Sequence, residues 1–369
     1  MTALRVPFLS ATLHEDAAAV RAAIERVVAS GWFILGPEVE ALEREFAAAA
    51  GARHAVGVGT GTDAIALVLR ALGVGPGDEV ITTPLSAAYT ALAIVMAGAR
   101  PVFADIDASR LTIDPRAIEA AVTPRTRAIV PVHLYGQPAD MAAIETVARA
   151  HALAIVEDCC QAHFATCLGR PVGTIGSAGA FSFYPTKNLA ALGDGGAVIT
   201  GDAALADRIK RLRNGGQTDR YHHEELGVNT RLDEMQAAIL RARLPYLPRW
   251  TSRRRELAAE YRRGLSAAAV TVLPEHDSGH VYHLFPVLAP SAGNARNALQ
   301  QHLGAEGIDT LVHYPIPIHR QPAFAKVAPA DCPCADEMSS RVLSLPLHPA
   351  LDRAGVESVC GAVQRWRTS

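Results

Sequence analysis

An excess of charge of either sign is missing from this chain: 35 lysines and arginines stand against 37 aspartates and glutamates, a formal net charge of −2. Nothing in that balance points to a nucleic acid or a membrane surface as partner. Cysteine is sparse and poorly spaced for staples. Cys159, Cys160, Cys167, Cys332, Cys334 and Cys360 form no C-x-x-C pair and no paired zinc-ligand spacing, so neither a disulfide framework nor a metal site is expected. Buried free thiols in a reducing compartment are the better reading. Long hydrophobic runs are missing too. The most apolar window, residues 87–99, falls short of the roughly 18 residues that span a bilayer. The N-terminal stretch lacks the basic segment and apolar run of a signal peptide, and no internal repeat stands out. The expectation is a cytoplasmic protein.

What is present is a 369-residue chain, 49% hydrophobic and 20% charged, with length for one large unit plus a smaller one. From about residue 14 to 200, β-rich runs alternate with amphipathic ones. Strands are expected at 54–59, 79–84, near 100–106, near 127–135 and at 153–158, and helices at 62–72, 86–97, 115–122 and 140–151. That alternation predicts an α/β fold with a mainly parallel central sheet flanked by helices. After residue 200 come a helix stopped by Gly215 and Gly216, a second over "RLDEMQAAIL", a break at the prolines of "RLPYLPRW", and a long charged helix over 251–265. A smaller C-terminal α/β domain follows, and the boundary is drawn at 1–245 and 246–369.

Three stretches carry chemistry. "GVGTGTD" at 57–63 leaves a strand and enters a helix, where glycines and free N–H groups can cradle an anion; the plain alternative is a βα turn capped by Thr62 or Asp63. It is not G-x-G-x-x-G, so a dinucleotide site is weakly supported. "LAIVED" drives an apolar strand into Glu157 and Asp158, at the edge where such sheets bind ligands; Asp158 either meets a cation or caps the next turn. "FSFYPTKNLAALGDGGAV" sets Lys187 between a buried strand and a glycine run. Desolvation disfavours a charged amine, and a neutral lysine attacks carbonyls to form Schiff bases. Together an anion cradle at 61–62, a carboxylate at 158 and an amine at 187 match pyridoxal 5′-phosphate: phosphate on the helix N-terminus, Asp158 against the pyridine nitrogen, Lys187 on the aldehyde.

Longer motifs extend the reading. "GDEVITTP", "PVHLYGQPADM", "FSFYPTKNL", "GDGGAV", "GVNTRLDEMQAAIL" and "HYPIPIHRQ" resemble the DegT/DnrJ/StrS-type sugar-nucleotide aminotransferases, over nearly the whole chain. The resemblance implies a fold-type-I aminotransferase that uses pyridoxal phosphate. Lys187 would hold the cofactor and shuttle the proton, Asp158 would pair with the pyridine nitrogen and Gln161 would contact the ring hydroxyl. Gly61, Thr62 and Ser182 would bind the phosphate, and Tyr89 is the candidate to stack on the ring, against ordinary helix packing. Asn229 would reach the phosphate from the neighbouring subunit of a homodimer with shared active sites. Tyr184, His313 and Tyr314 would line the sugar pocket, with Tyr221 projecting from the partner.

Within the family, the loop around Lys187 and the "GDGG" exit look most like members acting on dTDP-linked 3-keto-6-deoxyhexoses, with L-glutamate as amino donor. Two alternatives stay open: a 4-keto nucleotide-sugar aminotransferase, and a non-catalytic nucleotide-sugar-binding or regulatory homologue. A dehydratase on the same fold is disfavoured, because those relatives replace the lysine by histidine. Phe164, where glycine is usual, is expected to add bulk near the cofactor. Adjacent His222 and His223 cannot share one face and read as solvated loop residues. The run 253–256 reads as the wet face of a helix.

Overall fold

The computed structural model describes residues 6–10, 15–291 and 293–366. Helices α1 (Ala17–Ser30) and α2 (Pro37–Ala49) precede a strand–helix alternation: β1 (His54–Val58), α3 (Gly61–Ala71), β2 (Glu79–Thr82), α4 (Tyr89–Met96), β3 (Arg100–Phe103), α5 (Pro115–Ala121), β4 (Thr126–Val130), α6 (Met141–Ala150) and β5 (Ala154–Asp158). A small hairpin, β6 (Thr166–Cys167) and β7 (Arg170–Pro171), leads to β8 (Ala178–Ser182) and β9 (Gly196–Thr200).

Seven strands form one sheet in the order β1-β9-β8-β5-β4-β2-β3. Pairings from β3 through β8 are parallel, whereas β9 runs antiparallel to both β1 and β8. The parallel strands are buried almost throughout, as expected of a sheet covered on both faces. One face packs on α3 through Ile65, Val68 and Leu69; the other packs on Phe46, Ile144 and Leu240. Because parallel strands share a direction, the carboxyl ends of β1, β2, β4, β5 and β8 emerge along one edge. Antiparallel β9 begins on that same edge. A Cβ on Gly196, its first residue, would stand 2.4 Å from the Thr60 carbonyl, so only glycine lets the two backbones meet there.

Beyond the sheet lie α7 (Ala203–Leu212), the exposed hairpin β10 (Gln217–Asp219) and β11 (His222–His223), α8 (Glu234–Arg243) and α9 (Leu247–Gly264). The expected proline break is a single 3-10 turn, Leu244–Tyr246; Pro248 sits in the first turn of α9, where its missing N–H costs nothing. A second sheet, β12 (Thr271–Val272), β13 (Phe285–Leu288) and β14 (Val342–Leu345), is covered by α9, α10 (Ala295–Ala305) and α13 (Arg353–Arg365), with α11 (Pro322–Ala325) and α12 (Pro333–Arg341) between. Val6 joins this second core by exchanging backbone bonds with Gly307 and Asp309. Among the described residues no helix is long and apolar enough to cross a membrane.

Candidate active site

The carboxyl edge of the sheet opens into a cavity of about 560 Å³, a size ordinary for small-molecule sites. Gly61, Thr62, Tyr89, Asp158, Gln161, Ser182, Tyr184, Lys187, His313 and Tyr314 all line it. Residues that follow four strands, β1, β2, β5 and β8, and residues from the smaller sheet's loops thus converge on one space.

The cradle is built at the start of α3. Thr60 is the N-cap: its hydroxyl accepts from Asp63 N–H at 3.0 Å and donates to the Asp63 carboxylate at 2.8 Å. The capping expected of Thr62 or Asp63 therefore belongs to Thr60, whose hydroxyl is oriented by the Asp63 carboxylate. The first-turn N–H groups of Gly61 and Thr62 lack intrahelical acceptors by construction, and the helix dipole is positive there. A Cβ on Gly61 would lie 2.7 Å from Cys160 Sγ and 2.8 Å from Ser182 Cβ, so the turn needs glycine to bring these backbones together.

Asp158, at the end of β5, is buried. Its Oδ2 accepts from the Thr90 hydroxyl at 2.7 Å and its Oδ1 from Cys160 N–H at 3.0 Å. The bond from Cys160 N–H caps the turn that follows β5, as one of the two readings expected, and still leaves Asp158 with lone pairs to spare for a cation. Lys187 is half-buried and sits on a tight turn closed by its own N–H to the Tyr184 carbonyl at 2.8 Å. It makes no ion pair among the described residues. Burial holds its amine below the usual lysine range, and the neighbouring Cys160 and Asp158 only partly oppose this.

Gln161 is occupied on both sides: Oε1 accepts from Tyr135 N–H at 2.8 Å and Nε2 donates to the Tyr314 hydroxyl at 3.0 Å, which leaves one amide hydrogen over. Burial pushes the Tyr314 hydroxyl up to about 12, so it stays a neutral donor and acceptor. His313, bonded through Nδ1 to Ser344 Oγ at 3.0 Å, is held down at about 4 by burial and by Lys187. Tyr89 is 64% exposed at the start of α4, which rules out its being ordinary helix core.

Two expected residues lie elsewhere. Tyr221 and Asn229 are exposed and outside this chain's own cavity; Tyr221 sits at the tip of the β10–β11 hairpin, and Asn229 bridges Asn214. Phe164 does not add bulk at the cavity. Its ring packs on Phe46 at 5.3 Å within the core beneath the sheet. Sequence reasoning missed Thr90, Cys160, Asp194 and His283, which also line the cavity.

The cavity fits pyridoxal phosphate on its own terms. It offers unfilled N–H donors for a phosphate, a carboxylate with free lone pairs for a protonated ring nitrogen, and an unpaired, desolvated amine for an aldehyde. A separate cluster of His133, Glu157 and Cys159 brings three candidate ligand atoms together. It does not suit a metal. His133 Nδ1 accepts from Ala139 N–H, so the proton is on Nε2 and points at Glu157, and three backbone N–H groups fill the rest of that carboxylate.

Comparison with known proteins agrees with this geometry. Residues 14–364 match the model of the DegT/DnrJ/EryC1/StrS aminotransferase family. The chain is 50% identical over 368 residues to a dTDP-3-amino-3,4,6-trideoxy-alpha-D-glucose transaminase of Streptomyces venezuelae, covering 98% of this chain and 96% of that one. It is 48% identical over 334 residues to a pleiotropic regulatory protein of Geobacillus stearothermophilus, covering 89% of each. Among solved structures it is similar to S. venezuelae DesV in complex with a ketimine intermediate, with a TM-score of 0.94, 49% identity, and coverage of 99% of this chain and 100% of that one.

Proposed function

The chain belongs to the DegT/DnrJ/EryC1/StrS aminotransferase family, and from that membership we propose that it aminates a dTDP-linked 3-keto-6-deoxyhexose with L-glutamate as donor. It is an aminotransferase whose cofactor is pyridoxal 5′-phosphate. The observation that carries the reading is the convergence of Lys187, Asp158 and the Gly61–Thr62 turn on one cavity. The substrate is supported by the 50% identity to a dTDP-sugar transaminase.

Pyridoxal phosphate, when bound, supplies an aldehyde for an amine and a ring that draws electrons from the bond being broken. The chain's own residues do the rest. The Gly61 and Thr62 N–H groups and Ser182 Oγ would hold the phosphate, and Asp158, oriented by Thr90 and Cys160 N–H, would keep the ring nitrogen protonated. Lys187 Nζ, weakened as a base by burial, takes a proton and returns it at the same atom. Tyr89, exposed and lining the cavity, would pack against the ring. Tyr184, His313 and Tyr314 would bind and orient the sugar; Gln161 steadies Tyr314 and has one amide hydrogen left that would serve the ring hydroxyl.

The enzyme acts as a homodimer, with Tyr221 and Asn229 completing the partner's site. This is supported by the 79% exposure of Tyr221 and the 88% exposure of Leu226, large apolar side chains that a second copy would cover. Mixing inactive Lys187→Ala protomers with Asn229→Ala protomers should restore activity, because each hybrid has one site intact; no restoration would show that the sites are not shared.

Purified holoenzyme should show the visible absorption of lysine-bound cofactor, which glutamate shifts and Lys187→Ala abolishes. A protein that shows no such band after reconstitution is not a transaminase. A band that glutamate leaves unmoved favours a regulatory homologue, the reading that the Geobacillus relative's name raises. NMR of the product formed from a panel of 3-keto and 4-keto sugars assigns the position; amination only at carbon 4 overturns the 3-keto substrate.

A further inference from the structure

His283 and Leu284 enter the cavity wall from the segment just ahead of β13. That segment is held unusually firmly. A Cβ on Gly136 would stand 2.9 Å from His283 N and 3.0 Å from Tyr282 N, so the close approach needs glycine. Val281 N–H donates to the Gly136 carbonyl and Leu284 N–H to that of Tyr135. The buried Arg254 donates through one nitrogen to the carbonyls of Tyr282, His283 and Leu347, at 3.1, 3.2 and 2.9 Å. Tyr282 and Tyr135 both sit in left-handed backbone, with φ 47° and 59°, a conformation bulky residues keep only where the surroundings over-determine it.

The side chain is held in one tautomer as well. Asn188, next to Lys187, donates through Nδ2 to the Val281 carbonyl at 3.1 Å; a carbonyl can only accept, so the amide's orientation follows. Its Oδ1 then faces His283 Nδ1 at 3.2 Å, and the ring proton sits on Nδ1. Burial, then Lys187, Arg254, His313 and His163 around it, all oppose a second proton, so the ring is neutral. Nε2 keeps a lone pair. It has no partner among the described residues and is not sealed off as the buried unpartnered atoms are, so it opens on the cavity that His283 lines.

We propose that His283 is a specificity residue of this cavity, whose Nε2 accepts a hydrogen bond from a hydroxyl of the nucleotide-linked sugar. The proposal rests on the substrate reading above. A neutral acceptor held by Asn188 and Arg254 reads a hydroxyl, and it penalises a sugar that lacks one there.

Steady-state kinetics of the holoenzyme, run in reverse on a dTDP-linked 3-amino-6-deoxysugar with 2-oxoglutarate, tests this. His283→Phe keeps the ring and removes the acceptor; it should raise KM for the sugar about 10- to 100-fold with little change in kcat. His283→Gln, whose Oε1 reaches the place of Nε2, should recover most of the loss. Cofactor affinity, measured by absorbance titration, should not move in either variant. On wild type alone, one of a panel of monodeoxy nucleotide sugars should show a KM about 10- to 100-fold above that of the parent, which checks the proposal even if His283→Phe folds poorly. A wild-type KM in His283→Phe, a loss confined to kcat or cofactor affinity, or a loss in KM for the keto acid would overturn the proposal alone. A wild-type protein that turns over no nucleotide sugar overturns the substrate reading and this proposal together.

Discussion

Two adjacent carboxylates end strand β5 and face opposite ways. Glu157, on one face, is fully buried and accepts four hydrogen bonds: His133 Nε2 at 3.0 Å and Gly173 N–H at 2.8 Å on Oε2, Ile175 N–H at 2.8 Å and Gly176 N–H at 2.7 Å on Oε1. Asp158, on the other, is nearly as buried but accepts two, from Thr90 and Cys160 N–H. A carboxylate has about four lone-pair sites, so Glu157 is saturated and Asp158 is half filled. Burial alone therefore does not mark the functional acid. Spare hydrogen-bonding capacity turned toward a cavity does, because a buried charge left incomplete is costly unless something else completes it.

Removing each charge in turn tests that contrast. Asp158→Asn should cut turnover by about 100-fold or more, since a preorganised charge at a reacting centre is worth that much, and should leave thermal stability close to wild type. Glu157→Gln should do the reverse: one amide oxygen cannot serve four donors, and each buried N–H left without an acceptor costs about 1–3 kcal/mol. Calorimetry and kinetics on the two variants read both axes. If Glu157→Gln melts like wild type, or Asp158→Asn turns over normally, saturation is the wrong way to tell the two acids apart.

How much of this was legible in the chain follows the same division. The strand–turn–helix signals around 57–63, 153–158 and 181–196 are local, so Gly61, Thr62, Asp158 and Lys187 are legible in patterns within a few residues of each, whereas Ser182 is legible only through the family resemblance. The direction of β9 was not legible, because "GAVIT" carries the same apolar run whether it pairs parallel or antiparallel. The cap of α3 was misread by two residues, since Thr60, Thr62 and Asp63 are all good caps and only geometry shows which hydroxyl meets an N–H. Phe164 was assigned to the cavity from its neighbours in sequence, while its left-handed backbone, φ 58°, turns it into the core. Thr90 and His283 were missed because their partners, Asp158 and Asn188, are 68 and 95 residues away.

A third carboxylate carries the comparison to its smallest effect. Glu79 opens β2 at the far end of the sheet from the cavity and is 1% exposed. Burial pushes its carboxyl up, but the Thr123 hydroxyl at 2.7 Å, Arg100 and Arg125 together outweigh this and hold it at about 2. Like Glu157 it is closed by protein groups, yet both arginines reach solvent, so the attraction is screened and worth less. The sign is set by the direction of the shift. A carboxyl held below its unfolded value of 4.5 contributes stability above that pH, and the contribution fades as pH falls toward 2. Glu79→Gln should therefore lose a modest part of its stability at pH 7 and show a shallower fall between pH 4.5 and 2.5, with activity at neutral pH unchanged. Urea midpoints across that range measure it. Parallel pH curves for variant and wild type would mean that Glu79 titrates as it does unfolded, and that closure by exposed arginines is no closure at all.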